Sequence, residues 1–344
     1  MTLFISREPQ LAENIVMVGG LDGCGKTLLS PIISALDRVE LSTYSYEIEH
    51  YCALHSLNEL SLNTASALIR MQTDYKLYNG MMSREVNFRP SDLSSVFKYH
   101  NPDQYFERLF QPGDAAIPEV ISQSQPILNL TIHNVLYISD PIWKGLGDRC
   151  VYIEVVRHPL YMIRQQALNM TNLVNDARDF IIYYEYKDKK YPYWTQGWED
   201  DFEASSGIER SVHYINQMTQ RTELAKEILR KKYQANILTI PFEAFALDPE
   251  PWMAKVAAAL KTEITDDTRN VMFAQKVPRK KIAQGIDLEI YRRCGWVPPK
   301  DGTTEREELM IRRKDVVMES REEIVSLIDQ LSESYEKKYW SPDS

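Results

Sequence analysis

The chain has 344 residues, with 49 Asp and Glu against 40 Lys and Arg, a formal net charge of −9 and 44% hydrophobic residues. That balance argues against a general nucleic-acid binder, which needs a basic footprint, and no run approaches the roughly 18 apolar residues of a membrane span. Cys24, Cys52, Cys150 and Cys294 form no C-x-x-C pair, so neither a zinc site nor a disulfide framework is indicated and a reducing, cytoplasmic setting is expected. The opening MTLFISREPQ lacks the layout of a signal peptide.

Along the chain, five runs read as strands: Asn14–Gly19 (NIVMVG), Ser42–Ile48 (STYSYEI), Asn134–Asp140 (NVLYISD), Cys150–Val156 (CVYIEVV) and Asn236–Phe242 (NILTIPF). Near-continuous apolar character in the first, third and fourth suits strands buried on both faces. The helical stretches between them predict an α/β fold, a mostly parallel sheet with helices on both sides. At about 150 residues per domain the length allows two domains or one enlarged one; a single domain over 1–344 is the reading taken. Segments 57–110 and 178–200, the second dense in Tyr and Trp, are expected as helical or aromatic insertions forming a lid or acceptor pocket. Ser211–Lys232 carries Val212, Ile215, Met218, Leu224 and Ile228 at helical spacing and ends in Lys and Arg, as a helix C-terminus favours. Residues 305–339 carry a stripe that includes Leu309, Val316, Val317, Ile324 and Leu331, expected as a C-terminal helix packed on the domain.

The first strand runs into Gly20–Thr27, GLDGCGKT, which satisfies G-x-x-x-x-G-K-[ST], and LLSPIISAL leaves it as a helix with Pro31 beyond its first turn. In that context the backbone of Gly20, Gly23, Cys24, Gly25 and Leu28 wraps so that N–H groups converge on phosphate at a helix N-terminus. Lys26 reaches the outer phosphates and Thr27 ligates Mg²⁺. Asp22 has two open readings, a group beside the terminal phosphate that takes a proton or positions Mg²⁺, or an Asx turn. GLDGCGKT resembles the loop of thymidylate kinases over about ten residues.

A longer resemblance lies downstream. CVYIEVVRHPLYMIRQQ (Cys150–Gln166), NILTIPFEAFALDPEPWMAKVAAAL (Asn236–Leu260) and KVPRKKIAQG (Lys276–Gly285) resemble, in order, three segments of the P-loop sulfotransferases. The resemblance implies a sulfotransferase-like fold, with Arg157 at donor phosphate or at the charge on the transferred group, Gln165 at the position of a phosphate-binding Ser, and Arg279 at donor phosphate or ribose. Those enzymes use 3′-phosphoadenosine 5′-phosphosulfate without metal. Two departures stand out: Lys26 replaces a Thr of the first loop, and Gln165 replaces a Ser.

Among other candidates, Asp140 ends a strand candidate, where an acid holds Mg²⁺ through water or forms a turn before Pro141. Glu47 and Glu49, on one face of a strand by alternation, offer an acceptor's general base, with Glu49 preferred; His50 stands beside them. Arg84 and Arg89 read as lid arginines or surface charges, Arg164 as a weaker partner of Arg157, and His133 and His158 as structural. The expectation is a nucleotide-dependent group transferase moving a phosphoryl group from ATP·Mg²⁺ to a small-molecule acceptor. The alternative is a metal-free sulfotransferase, and a third reading is a nucleotide-binding switch or ATPase module.

Overall fold

The computed structural model describes residues 5–8, 10–92, 94–174, 176–285, 289, 292 and 296–343. In chain order the first half runs β1 (Asn14–Gly19), α1 (Lys26–Ser34), β2 (Thr43–Tyr44), α2 (Tyr46–Ser56), α3 (Leu62–Gly80), α4 (Asp103–Arg108), α5 (Ile117–Ser124), β3 (Ile127–Thr131), α6 (Asp140–Leu146) and β4 (Cys150–Val156). The second runs α7 (Pro159–Asn172), β5 (Tyr183–Tyr186), β6 (Lys189–Pro192), α8 (Glu199–Ala204), α9 (Gly207–Tyr233), β7 (Asn236–Pro241), α10 (Phe242–Leu247), α11 (Glu250–Leu260), α12 (Asp266–Ala274), α13 (Glu305–Glu319) and α14 (Glu322–Lys338).

The central sheet has the order β2-β3-β1-β4-β7 and every pairing in it is parallel. Side chains alternate across a strand, and both faces are covered. Val16, Val18, Ile153 and Val155 join a core with α1, α7, α11 and α14, while Ile15, Met17, Leu128, Leu130 and Tyr152 join another with α2, α3 and α6. Parallel strands buried on both sides explain the continuous apolar runs. No described helix is long and apolar enough to cross a membrane.

The structure corrects four sequence expectations. Asn134–Asp140 is not a strand: Leu136–Ile138 is a 3-10 turn and Asp140 begins α6, while the strand beside β1 is Ile127–Thr131. A short apolar run does not separate strand from buried helix by periodicity. Ser42–Ile48 is a strand only at Thr43–Tyr44; Ser45 stands at the N-cap of α2 and Glu47 and Glu49 lie in its first turn, where the helix dipole favours acids. In α9, Leu224 and Ile228 are exposed and the buried stripe continues through Thr222, Lys226 and Leu229. Residues 305–339 form two helices that meet at Ser320 and Arg321, whose extended backbone is fixed by Glu209: its Oε1 accepts from the Arg321 amide at 3.0 Å and from Nε at 2.9 Å. Cys294 lies outside the described residues.

Candidate functional site

The site begins where β1 ends. Gly20 has φ 143° and Gly25 φ 109°, conformations that side chains with a Cβ rarely adopt. A Cβ on Gly25 would stand 2.2 Å from Cδ2 of Phe242, the first residue of α10, so the turn can press against that ring only as glycine. The Cys24 amide donates to the Leu21 carbonyl at 3.2 Å. Among the described residues the amides of Gly23, Gly25 and Thr27 have no acceptor, that of Lys26 donates to the Cys24 sulfur, and α1 has no side-chain cap. The helix therefore presents an open N-terminus suited to an anion. Lys26, 6% exposed, folds back over the turn, Nζ donating to the Gly20 carbonyl at 2.6 Å and to that of Leu21 at 3.0 Å. An ammonium has three N–H donors, and the third points to the Cys24 sulfur at 3.9 Å, a weak acceptor that a ligand oxygen would replace. Burial works against the Lys26 charge, but Cys24, Asp22, Tyr44 and Glu49 more than offset it and hold its pKa above the ordinary lysine value. Leu28 is buried in the core, and Thr27 lines a cleft of about 1390 Å³, counted to open solvent, with Ser30, Ser42, Tyr44, Thr131 and Gln275.

An acid–base pair faces the same turn. His133 lies two residues past the end of β3; its amide donates to Oε1 of Glu49 at 2.7 Å and its Nδ1 lies 2.9 Å from the same oxygen. Glu49 is 3% exposed and accepts, so Nδ1 carries the proton and Nε2, which has no partner among the described residues, keeps its lone pair when the ring is neutral. Burial alone would lower the His133 pKa; the charge and hydrogen bond of Glu49, with Asp22 behind, raise it above 6.5 on balance. The rings of Tyr44 and Tyr46 lie 5.9 and 5.5 Å from His133, and Phe180 meets Tyr46 edge-on at 5.9 Å.

A basic group packs behind the turn. Arg157, 7% exposed, donates from Nη1 to the Gly23 carbonyl at 2.9 Å, and its guanidinium lies 4.2 Å from the Phe242 ring centre and 5.1 Å from that of Tyr161. Arg279, 4% exposed, lies 5.6 Å from the same Phe242 ring and donates to the carbonyls of Lys276 and Ile282. Glu243 stands 3.8 Å from Arg157 Nε; burial raises its pKa, against the pull of Arg157 and of Tyr335, whose hydroxyl donates to it at 2.5 Å. Gln165 lies against Gly23, and Gln166 Nε2 donates to the Asp22 carbonyl at 3.0 Å.

Thus Asp22, Lys26, Thr27 and Glu49 surround one turn, and Arg157, Gln165 and Arg279 pack against it. Asp140 does not join them. It accepts from Lys232 at 2.6 Å and Tyr233 at 2.9 Å, in the last turn of α9 just before β7 begins, which places it at the N-terminal edge of the sheet, opposite the turn. The acid expected beside Thr27 is replaced by Thr131, hydroxyl-bonded to Ser30 and Ser42. Among the described residues no group of three His, Cys, Asp or Glu is placed to hold a metal ion. Glu47 is correspondingly a surface residue paired with Lys76. His50 bonds the Phe180 carbonyl, Arg84 pairs with Asp114, Arg89 with Asp92, and Arg164 is exposed on α7.

His158 is structural: its Nδ1 accepts from the Leu160 amide, its Nε2–H donates to Glu336, and burial with Arg306, Arg157 and Arg312 nearby lowers its pKa to about 3. Tyr191, Tyr193, Trp194 and Trp198 pack on α9 with Tyr214 and Met218, in a cluster against which Leu21 of the turn also packs. His133 was underrated by sequence, because its partner lies 84 residues upstream on a segment that reads as a strand.

No family model and no curated protein match the chain. Solved structures similar to it include a sulfotransferase domain from the curacin biosynthetic pathway, at 12% identity and TM-score 0.44 over 95% of this chain and 99% of that one. A sulfotransferase domain of the Synechococcus PCC 7002 olefin synthase is similar at 14% identity and TM-score 0.37, over 92% and 98%. A mouse sulfotransferase solved in complex with PAP is similar at 11% and 0.35, over 92% and 89%.

Proposed function

We propose that the protein transfers a sulfuryl group, without metal, from 3′-phosphoadenosine 5′-phosphosulfate to a hydroxyl of a small acceptor. One observation carries the donor choice. Lys26, Arg157 and Arg279 gather at the turn, while the strand end beside Thr27 bears Thr131 where metal chemistry wants a carboxylate. Protein cations suit a donor with two separate phosphate positions. The residue set does not fit a Mg²⁺ site of the Asp140 kind, and no step is assigned to one.

The donor supplies the sulfuryl group when bound; the protein's residues hold and trigger it. The open amides of Gly23, Gly25 and Thr27 and the Lys26 ammonium meet charge on the phosphate side of the breaking S–O bond, where preorganised donors help most. Arg157 and Arg279 would face the second phosphate. His133 Nε2 takes the acceptor's proton as its oxygen bonds sulfur, and Glu49 steadies the resulting imidazolium.

The test is a thermal-shift series with adenosine 3′,5′-bisphosphate and ATP, each with Mg²⁺ or EDTA. A ligand that binds only the folded state at about 100 times its Kd adds about 2.7 kcal/mol. Stabilisation by the bisphosphate in EDTA, and labelled-sulfate transfer that persists there, are expected. Stabilisation by ATP·Mg²⁺ alone would instead establish the second reading, phosphoryl transfer with Thr27 as metal ligand, which rests on the Thr27 hydroxyl in the open cleft.

A further inference from the structure

A cleft of about 990 Å³, counted to open solvent, lies between α7, the start of α9 and α13, apart from the turn described above. Its inner wall holds Arg312, 7% exposed and clamped between the ring of Trp296 at 3.7 Å and that of Tyr161 at 4.6 Å. Glu308 takes Nη2, but Nε and Nη1 have no hydrogen-bond partner among the described residues. A buried cation with two unpaired donor nitrogens is costly unless an acceptor reaches it. Arg164 lines the same cleft, exposed and without a partner among the described residues.

The other charges in the cleft have the opposite sign. Asp315 and Glu319 follow Arg312 along α13, line the cleft and form no ion pair among the described residues. Glu308 already balances Arg312, so a bare anion would meet two uncompensated carboxylates. At about 1.5 Å of rise per residue the two acids begin about 4.5 and 10 Å from Arg312 along the helix. A molecule with an acceptor at one end and a cation at the other matches this order.

We propose that this cleft binds a small zwitterion, its carboxylate on Arg312 and Arg164 and its ammonium toward Asp315 and Glu319. The Trp296 indole covers the guanidinium, so binding displaces it and makes it the reporter. The probes are 4-aminobutyrate, glycine, 6-aminohexanoate, butyrate and inorganic phosphate, followed by intrinsic fluorescence and melting temperature in the full chain. The expected result is saturable binding of 4-aminobutyrate or 6-aminohexanoate, with a fluorescence change that disappears in Trp296→Phe. Arg164→Ala, at an exposed position that leaves the fold intact, weakens it about tenfold by loss of a charged hydrogen bond, and Asp315→Asn weakens the amino acids without helping glycine. No saturable signal from either longer amino acid overturns the proposal. So does a Trp296 signal from butyrate or phosphate as strong as theirs, or binding untouched by both Arg164→Ala and Asp315→Asn.

Discussion

Lys26 donates to the carbonyls that shape the turn, and in the proposed function it also meets the donor's phosphate. Lys26→Ala is expected to lower transfer by about 10²- to 10³-fold, the scale of one lost oxyanion donor, measured as kcat at saturating acceptor. Glu49→Gln removes the charge that raises the His133 pKa. In the wild type, activity should rise with pH through a midpoint above 6.5, because the ring must be neutral to accept a proton; the variant's midpoint should fall. An unmoved midpoint would remove His133 from the base role. The pair's stabilising contribution has the complementary sign, full at low pH and lost as pH climbs past that midpoint. His158 behaves oppositely: held neutral down to about pH 3, it makes the fold lose about 1.4 kcal/mol per unit as pH drops below 6.5. Urea unfolding of His158→Gln should show a shallower acid limb.

At the scale of elements, the glycine turn after β1 shows how far local sequence reaches. GLDGCGKT between an apolar strand and a helix specified its own conformation, since glycines at φ 143° and 109° leave little choice. β4 was equally legible at Cys150–Val156, because both its faces are buried and its apolar run has matching length. What stayed hidden depended on partners remote in sequence: Glu49 on a helix, and Asp140 at the wrong edge of the sheet. The basic group was visible in part, Arg157 and Arg279 from their segments, but not the Phe242 ring that both guanidinium groups and Gly25 face. Gly25→Ala combines a forbidden backbone with a clash against that ring and should cost about 3 kcal/mol or more. Gly302→Ala, at φ 86° with nothing within 4 Å, meets strain alone and should cost about 1 kcal/mol. Equal losses in chemical denaturation would mean that the Phe242 contact contributes nothing.

Across the whole molecule, Arg7, Leu11 and Ala12 are tied to the core through Asp74 of α3. Its carboxylate, 1% exposed, accepts from Arg7 Nε at 2.7 Å and from the amides of Leu11 and Ala12 at 2.9 Å each. Asp74→Ala strands two amides at the start of β1 and should destabilise by about 2–4 kcal/mol, read from the urea midpoint at unchanged slope. Because β1 is central, that loss should lower donor affinity in step with stability. Lys26, in turn, winds the loop before any nucleotide arrives, so the conformational entropy of the receptor is already spent when the encounter begins. Association followed by stopped flow with a fluorescent nucleotide should therefore be a single exponential whose rate grows linearly with concentration, with no plateau from a slow rearrangement.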